Sequence, residues 1–471
     1  MVNYILDFLS HGFILFIIWY VVVINGIHLL EMFAALFITP SYVSRMRNSD
    51  YRLIGASNNL IPVSLLVPAY NEELTVVDSI KSMLNLNYLN YEVVVINDGS
   101  SDNTLNAIIN AFGLRKITYP IREQLAAKKI RGIYYNPDIP RLHLIDKENG
   151  GKYDALNTGI NFSRYPYFVA LDADSLLDAD ALLHIAMAFM QDKYTIAVGG
   201  IIRAANGCKI ADGKILDTGL PRNGWALFQT MEYLRSFLVG RIVLNRINSM
   251  LVISGAFGAF QKSAVLSVGG YTAGALGGDM DLVIKLIRYM QSRKYKYTFS
   301  YLPNAVCWTQ VPESFGALYR QRRRWQIGLM EVLGRYRKMF FKPGNKLIGM
   351  LALPYYFLLE IISPVIELFG FVLVPLAWKL NYISPDSLYL FCMAVFGFGI
   401  VTSIGSLAVE EFTNSGYIKM RELFKLSFLS IAENLFYRQL MVLVRFLGIF
   451  SYRQNKHIWG DIERYKFGGQ E

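Results

Sequence analysis

Residues 167–174 read Tyr-Phe-Val-Ala-Leu-Asp-Ala-Asp, an apolar run too short for an ordinary helix that ends in two alternating carboxylates. Such a run reads as a buried strand. The same shape occurs twice upstream. Residues 63–67 lead into Pro68-Ala69-Tyr70-Asn71-Glu72, and residues 91–96 lead into Asn97-Asp98-Gly99-Ser100. Helical patterns alternate with these runs across residues 61–341, which predicts an α/β domain with a largely parallel, Rossmann-like sheet. In such a sheet ligands bind beyond the carboxyl ends of the strands, where all three polar turns lie. Asp98 is placed to accept hydrogen bonds from a nucleotide base or ribose, with Pro68, Tyr70 and Glu72 beside it, although Asp-Gly-Ser is also a common turn. Asp172 and Asp174 can bring two hard oxygens to one divalent cation and so neutralise a diphosphate. One Asp-x-Asp says little; three acidic strand ends in succession say more.

Four further clusters carry chemistry. Glu148-Asn149-Gly150-Gly151-Lys152 leads to Asp154 and Asn157; the paired glycines admit a ligand close to the backbone, Lys152 can reach phosphate oxygens, and Asp154 is expected with it among the donor-binding residues. A plain helix start fits the same residues. Gly277-Gly278-Asp279-Met280-Asp281 opens a helical stretch, which sets Asp279 at a helix N-terminus, either beside the substrate or as a simple cap. Ile253-Ser254-Gly255-Ala256-Phe257-Gly258 is a small-residue turn. Gln321-Arg322-Arg323-Arg324-Trp325 joins three guanidinium groups to an indole, suited to clamping phosphate and stacking on a sugar, or to a basic helix beside a membrane. Trp225, Phe257, Trp308 and Trp325 are candidate sugar-stacking aromatics, each equally at home in a core.

Composition sets the surroundings. The chain has 471 residues, 53% apolar and 14% aromatic, too many for a wholly soluble protein, and a net charge of +11. That charge suits anionic headgroups, phosphates or a nucleotide diphosphate better than nucleic acid. Cys208, Cys307 and Cys392 lie far apart without metal-ligand spacing, which implies a reducing compartment for the soluble part. Residues 13–38 contain no Lys, Arg or Asp and reach about 39 Å as a helix, enough to cross a bilayer. Arg45, Arg47 and Arg52 then place the following chain in the cytoplasm. Residues 346–378 and 387–409 read as two more crossings. Residues 423–450 do not, because Glu433, Asn434, Arg438 and Arg445 are costly in lipid unless they face protein or a polar pathway. An interfacial helix competes there, and the basic tail (Arg453, Lys456, Arg464, Lys466) leaves the topology open. The basic stretch 115–131 reads as a solvated helical insertion between two strands. These features divide the chain into an anchor (1–45), a cytoplasmic catalytic domain (46–341), membrane and interfacial helices (342–450) and a tail (451–471).

In this order the motifs resemble the family 2 glycosyltransferases, and more narrowly the processive branch that includes cellulose, hyaluronan and poly-N-acetylglucosamine synthases. Gln321 to Trp325 is the most specific part. The resemblance implies a GT-A-like domain combined with transmembrane helices in the plasma membrane, in which Asp98 binds uridine and Asp172 and Asp174 hold the diphosphate with Mg²⁺ or Mn²⁺. It further implies Asp279 as general base, Gln321, Arg322, Arg323, Arg324 and Trp325 capping the donor, and Gly255 in the turn at the acceptor end. The expected partners are a UDP-sugar, a growing polysaccharide and the bilayer, with UDP-glucose preferred and UDP-N-acetylglucosamine next. The family usually has Glu before the base, where this chain has Gly278. A non-processive transferase acting on a lipid phosphate carrier shares the nucleotide site, and a silent scaffold or export subunit is suggested only by Gly278.

Overall fold

The computed structural model describes residues 2–47, 60–413 and 417–451. The described residues of Met1–Val43, Thr230–Leu244 and Ser314–Trp459 form a helical unit, and those of Ser44–Gln229 and Asn245–Glu313 form an α/β unit. The units are therefore not the consecutive segments expected: residues 230–244 and 314–341 join the membrane-type helices.

The α/β unit is built on β1 (Val63–Ala69), β2 (Tyr91–Asn97), β3 (Arg115–Ile117), β4 (Ile130–Tyr135), β5 (Leu142–Lys147), β6 (Tyr167–Leu171), β7 (Ser175–Leu177), β8 (Thr195–Ala204), β11 (Phe257–Gln261) and β12 (Thr298–Thr309), with a separate hairpin of β9 (Lys209–Ala211) and β10 (Lys214–Asp217). The large sheet runs β3-β4-β5-β2-β1-β6-β11-β8-β12-β7. Its centre, β5-β2-β1-β6, is parallel. β11 runs antiparallel to both β6 and β8, so the sheet is mixed. β1 and β2 are buried almost throughout, as expected of strands covered on both faces, which is why their sequences read as apolar runs interrupted only near their starts, by Ser64 and Glu92. Glu92 is buried within β2 because Ser64 and Arg164 hydrogen-bond its carboxylate at 2.7 and 2.8 Å.

The 115–131 stretch contains no helix. It holds β3, a loop over residues 118–129 and the start of β4, the two strands being antiparallel. Its backbone finds partners on the helix Lys152–Phe162: Asn161 accepts from the amides of Gln124 and Leu125 and donates to the Leu125 carbonyl, and Asp154 accepts from Lys128. Side-chain pinning does the work that helical hydrogen bonds were expected to do.

In the helical unit, His11–Ser44, Ile348–Lys379 and Pro385–Thr413 are long and apolar enough to cross a membrane. Ile17, Ile18 and Val21 of the first pack with Val374 of the second and Phe391 and Val395 of the third. Residues 420–450 form one further helical run, and its polar groups turn onto protein. Glu433 and Asn434 are fully buried. Arg235 meets Glu433 at 2.7 Å, Ser403 donates to the same carboxylate, Arg438 donates to Asn25, and Arg445 pairs with Glu360 at 2.9 Å. Each charge thus gains an opposite charge or a hydrogen bond away from lipid. Arg52, Arg453, Lys456, Arg464 and Lys466, which bear on orientation, lie outside the described residues.

Candidate active site

The carboxyl ends of β1, β2, β5 and β6 supply the first layer of the site. After β2, Gly99 takes φ +67°, and a Cβ there would lie 2.8 Å from the Asn149 amide, so the turn after Asp98 needs glycine. Asp98 is buried, and its carboxylate accepts from Lys147 Nζ at 2.6 Å and from the amides of Gly150 and Gly151 at 3.0 and 2.7 Å. It therefore braces the Gly150-Gly151 turn from within. Lys147 is fully buried and reaches Asp154 at 2.6 Å as well, so one ammonium serves two carboxylates. Asp154 is thereby corrected from ligand contact to support: it holds Lys147 and the backbone of Lys128. Glu72 is also turned inward, its carboxylate accepting from Thr75 and its backbone oxygen from the first turn of the following helix, while Tyr70 beside it is half exposed.

Lys147 escaped the sequence reading. It ends an apolar strand, where a lysine must find carboxylates or leave the core, and that was the available signal.

The second layer is more open. Lys152, the first residue of the helix Lys152–Phe162, donates to Asp172 at 2.5 Å and to the Gly255 carbonyl at 3.2 Å. Asp172 keeps a third of its side chain exposed. Asp174, two residues on, is buried near Thr309 at 3.5 Å. Gly255 is necessarily small: a Cβ there would collide with the Asp279 carboxylate. Asp279 lies in the first turn of the helix Gly278–Ser292, as the sequence predicts. Burial pushes its carboxyl above the usual range and the Asp172 carboxylate adds to the rise, while the Lys152 ammonium, the Tyr153 phenol and the Gly255 backbone hold it back. A carboxylate raised in this way is a better proton acceptor than a surface aspartate. Asp281, its neighbour, is fully buried and accepts from Thr272 at 2.6 Å, which makes it structural.

Asp172 and Asp174 supply hard oxygens only, and no group of three or more His, Cys, Asp or Glu side chains gathers among the described residues. Carboxylate oxygens of this kind are the ligands a divalent cation takes alongside substrate phosphates. The ammonium of Lys152 already meets Asp172, so the site is one where positive charge is favourable.

Gln321 to Trp325 belong to the helix Phe315–Arg335 of the helical unit. Arg322 is buried; it pairs with Glu232 at 2.7 Å, and Tyr437 donates to the same carboxylate at 2.7 Å. Its guanidinium also lies 4.2 Å from the Trp325 ring centroid. Arg322 is therefore a buried counter-charge, which separates it from the three-arginine phosphate clamp expected. Trp325 remains 41% exposed, whereas Phe257 and Trp308 are core residues.

Fold and site together define a glycosyltransferase of the GT-A type. Residues 64–135 match the model of glycosyl transferase family 2, and residues 167–400 match that of glycosyl transferase family group 2. The chain belongs to the family 2 glycosyltransferases. It is 35% identical over 275 residues to the poly-beta-1,6-N-acetyl-D-glucosamine synthase of Staphylococcus aureus (strain COL), a match covering 58% of this chain and 56% of that one. The synthase of the same name from Staphylococcus epidermidis is 34% identical over the same shares. The match thus spans little more than half the length of these curated relatives. Among solved structures, the mannosyltransferase PcManGT of Pyrobaculum calidifontis, in complex with GDP-Man and Mn²⁺, shares the fold with a TM-score of 0.54 at 17% identity, covering 92% of this chain and 99% of that one.

Proposed function

We propose that this chain polymerises UDP-N-acetylglucosamine into a β-linked chain at the cytoplasmic face and passes the product across its membrane. One observation carries the choice of sugar: the curated relatives at 34–35% identity are named for poly-β-1,6-N-acetylglucosamine. Glucose, preferred from the sequence, moves to second place.

The chemistry follows from the residues. Asp279 takes the proton from the acceptor hydroxyl, whose oxygen attacks the anomeric carbon from the face opposite the diphosphate. The bond to the diphosphate breaks, UDP leaves with the electron pair, and an α-linked donor becomes a β-linked product. Lys152 reaches the phosphate side from the glycine turn, and Gly255, lacking a Cβ, gives the Asp279 carboxylate its place against the turn. Asp172 and Asp174 would hold Mg²⁺ or Mn²⁺, which supplies charge compensation for the leaving diphosphate.

The test is incubation of the purified full chain with a panel of UDP-sugars, with and without EDTA, followed by linkage-specific digestion of the product. A β-1,6-linked N-acetylglucosamine polymer that forms only with divalent cation is the expected result. Glucan formation instead would overturn the sugar, and full activity in excess EDTA the metal role.

A further inference from the structure

The ring of Tyr153 occupies the space where a side chain at position 278 would begin. A Cβ built on Gly278 falls 2.5 Å from two atoms of that ring, closer than real Cβ contacts come. Gly278 is not among the glycines of positive φ, so it is needed for room and not for backbone conformation. The ring is itself held in place. It stacks on Tyr271 with centroids 5.5 Å apart and planes 16° from parallel. Asn157 in turn holds the backbone of Tyr271, donating to its carbonyl at 3.0 Å and accepting from its amide at 2.9 Å.

At the far end of this stack the Tyr153 phenol meets the Asp279 side chain and backbone. Tyr153 is only 5% exposed, so its influence on a substrate passes through Asp279. We propose that Gly278 and Tyr153 form a reciprocal pair: the glycine admits the ring, and the phenol hydroxyl orients the Asp279 carboxylate. Tyr153 is a positioning residue, and this inference rests on the reading of Asp279 as the base. The glycine is then no sign of a silent enzyme. It is the condition for a different neighbour beside the base.

Two measurements on the purified full chain test the pair. Tyr153→Phe keeps the ring and its stacking but removes the hydroxyl; kcat should fall roughly ten- to a hundredfold, the cost of a hydrogen bond to a charged group, with donor KM and melting temperature unchanged. A ring that merely filled the core would leave kcat at the parental value, and that result overturns the orienting role. Gly278→Ala should lower the melting temperature in the parent and cost little in a Tyr153→Ala background; additive losses would overturn the steric pairing. Asp279→Asn separates this inference from the reading beneath it. If Asp279→Asn lowers turnover and Tyr153→Phe does not, the pair alone fails. If Asp279→Asn transfers sugar at the parental rate, the base assignment falls and takes the orienting role with it, while the stability cycle still decides the packing.

Discussion

The α/β unit contains two helix starts of nearly the same sequence plan, Gly150-Gly151-Lys152-Tyr153-Asp154 and Gly277-Gly278-Asp279-Met280-Asp281; Asp154 and Asp281 hold the same place in it and are both structural, while Asp279, where the first has Lys152, is used in the opposite way. Asp154 is closed off by a fully buried lysine and a backbone amide. Both lysines serve two carboxylates, but Lys147 touches Asp154 at 2.6 Å, whereas Lys152 pairs with Asp172. Asp279 feels the Lys152 ammonium, meets a phenol and the Gly255 backbone, and burial raises its carboxyl. A lysine in direct contact ties a carboxylate down; a more distant charge and neutral donors leave it able to take a proton.

The strongest way to break this contrast is to remove the proton acceptor. Asp279→Asn should lower sugar transfer by about 10² to 10⁴ while nucleotide binding persists, as read by single-turnover kinetics and calorimetry with UDP. Equal loss of UDP affinity would make Asp279 another support residue like Asp154.

Next in size is Lys147→Met, which leaves Asp98 and Asp154 buried without their shared cation. Breaking such a pair costs about 3 to 5 kcal/mol, so the α/β unit should unfold well before the parent in a thermal melt. A parental melting temperature would mean that these carboxylates do not depend on the lysine.

Gly278→Glu sharpens the contrast from the other side. Because the Tyr153 ring fills the space, the substitution should lower both stability, by about 1 to 3 kcal/mol for overpacking, and turnover. A gain in turnover would show that the ring yields.

The smallest effect concerns pH. His143 is buried, and burial holds its imidazole below the usual range, with Arg164 acting in the same direction and Glu92 against it. A lowered folded-state pKa means that the unfolded chain binds the extra proton first. Its contribution is therefore complete above about pH 6.5, the unfolded value, and is lost as the pH falls below it. The melting temperature should drop less between pH 7 and pH 5.5 in His143→Phe than in the parent.

Some of this was legible in one dimension. Strand ends at Asp98 and Asp172 stand out because a strand covered on both faces is mostly apolar, and the polar turn that ends it marks the sheet edge. Asp279 was legible as a helix start, and the three long apolar segments as membrane-type helices. The last helix was rightly set apart, since Glu433 and Asn434 need protein around them. The fold of residues 118–129 is not legible in the sequence because its backbone partners, Asn161 and Asp154, come from a helix further along the chain. Arg322 was read with its neighbours as a phosphate clamp because nothing in the motif announces Glu232 as its partner.

The sequence by itself determined the class of fold, the edge at which chemistry gathers, and the residue types available there, because periodicity and strand-end polarity are local properties. Only the tertiary structure decided which carboxylates are spent on lysines and which stay reactive. That choice depends on charges and rings brought together from distant segments: Lys147 against Asp98 and Asp154, and Tyr153 against Gly278 and Asp279. Short-range sequence pattern carries no record of those distances.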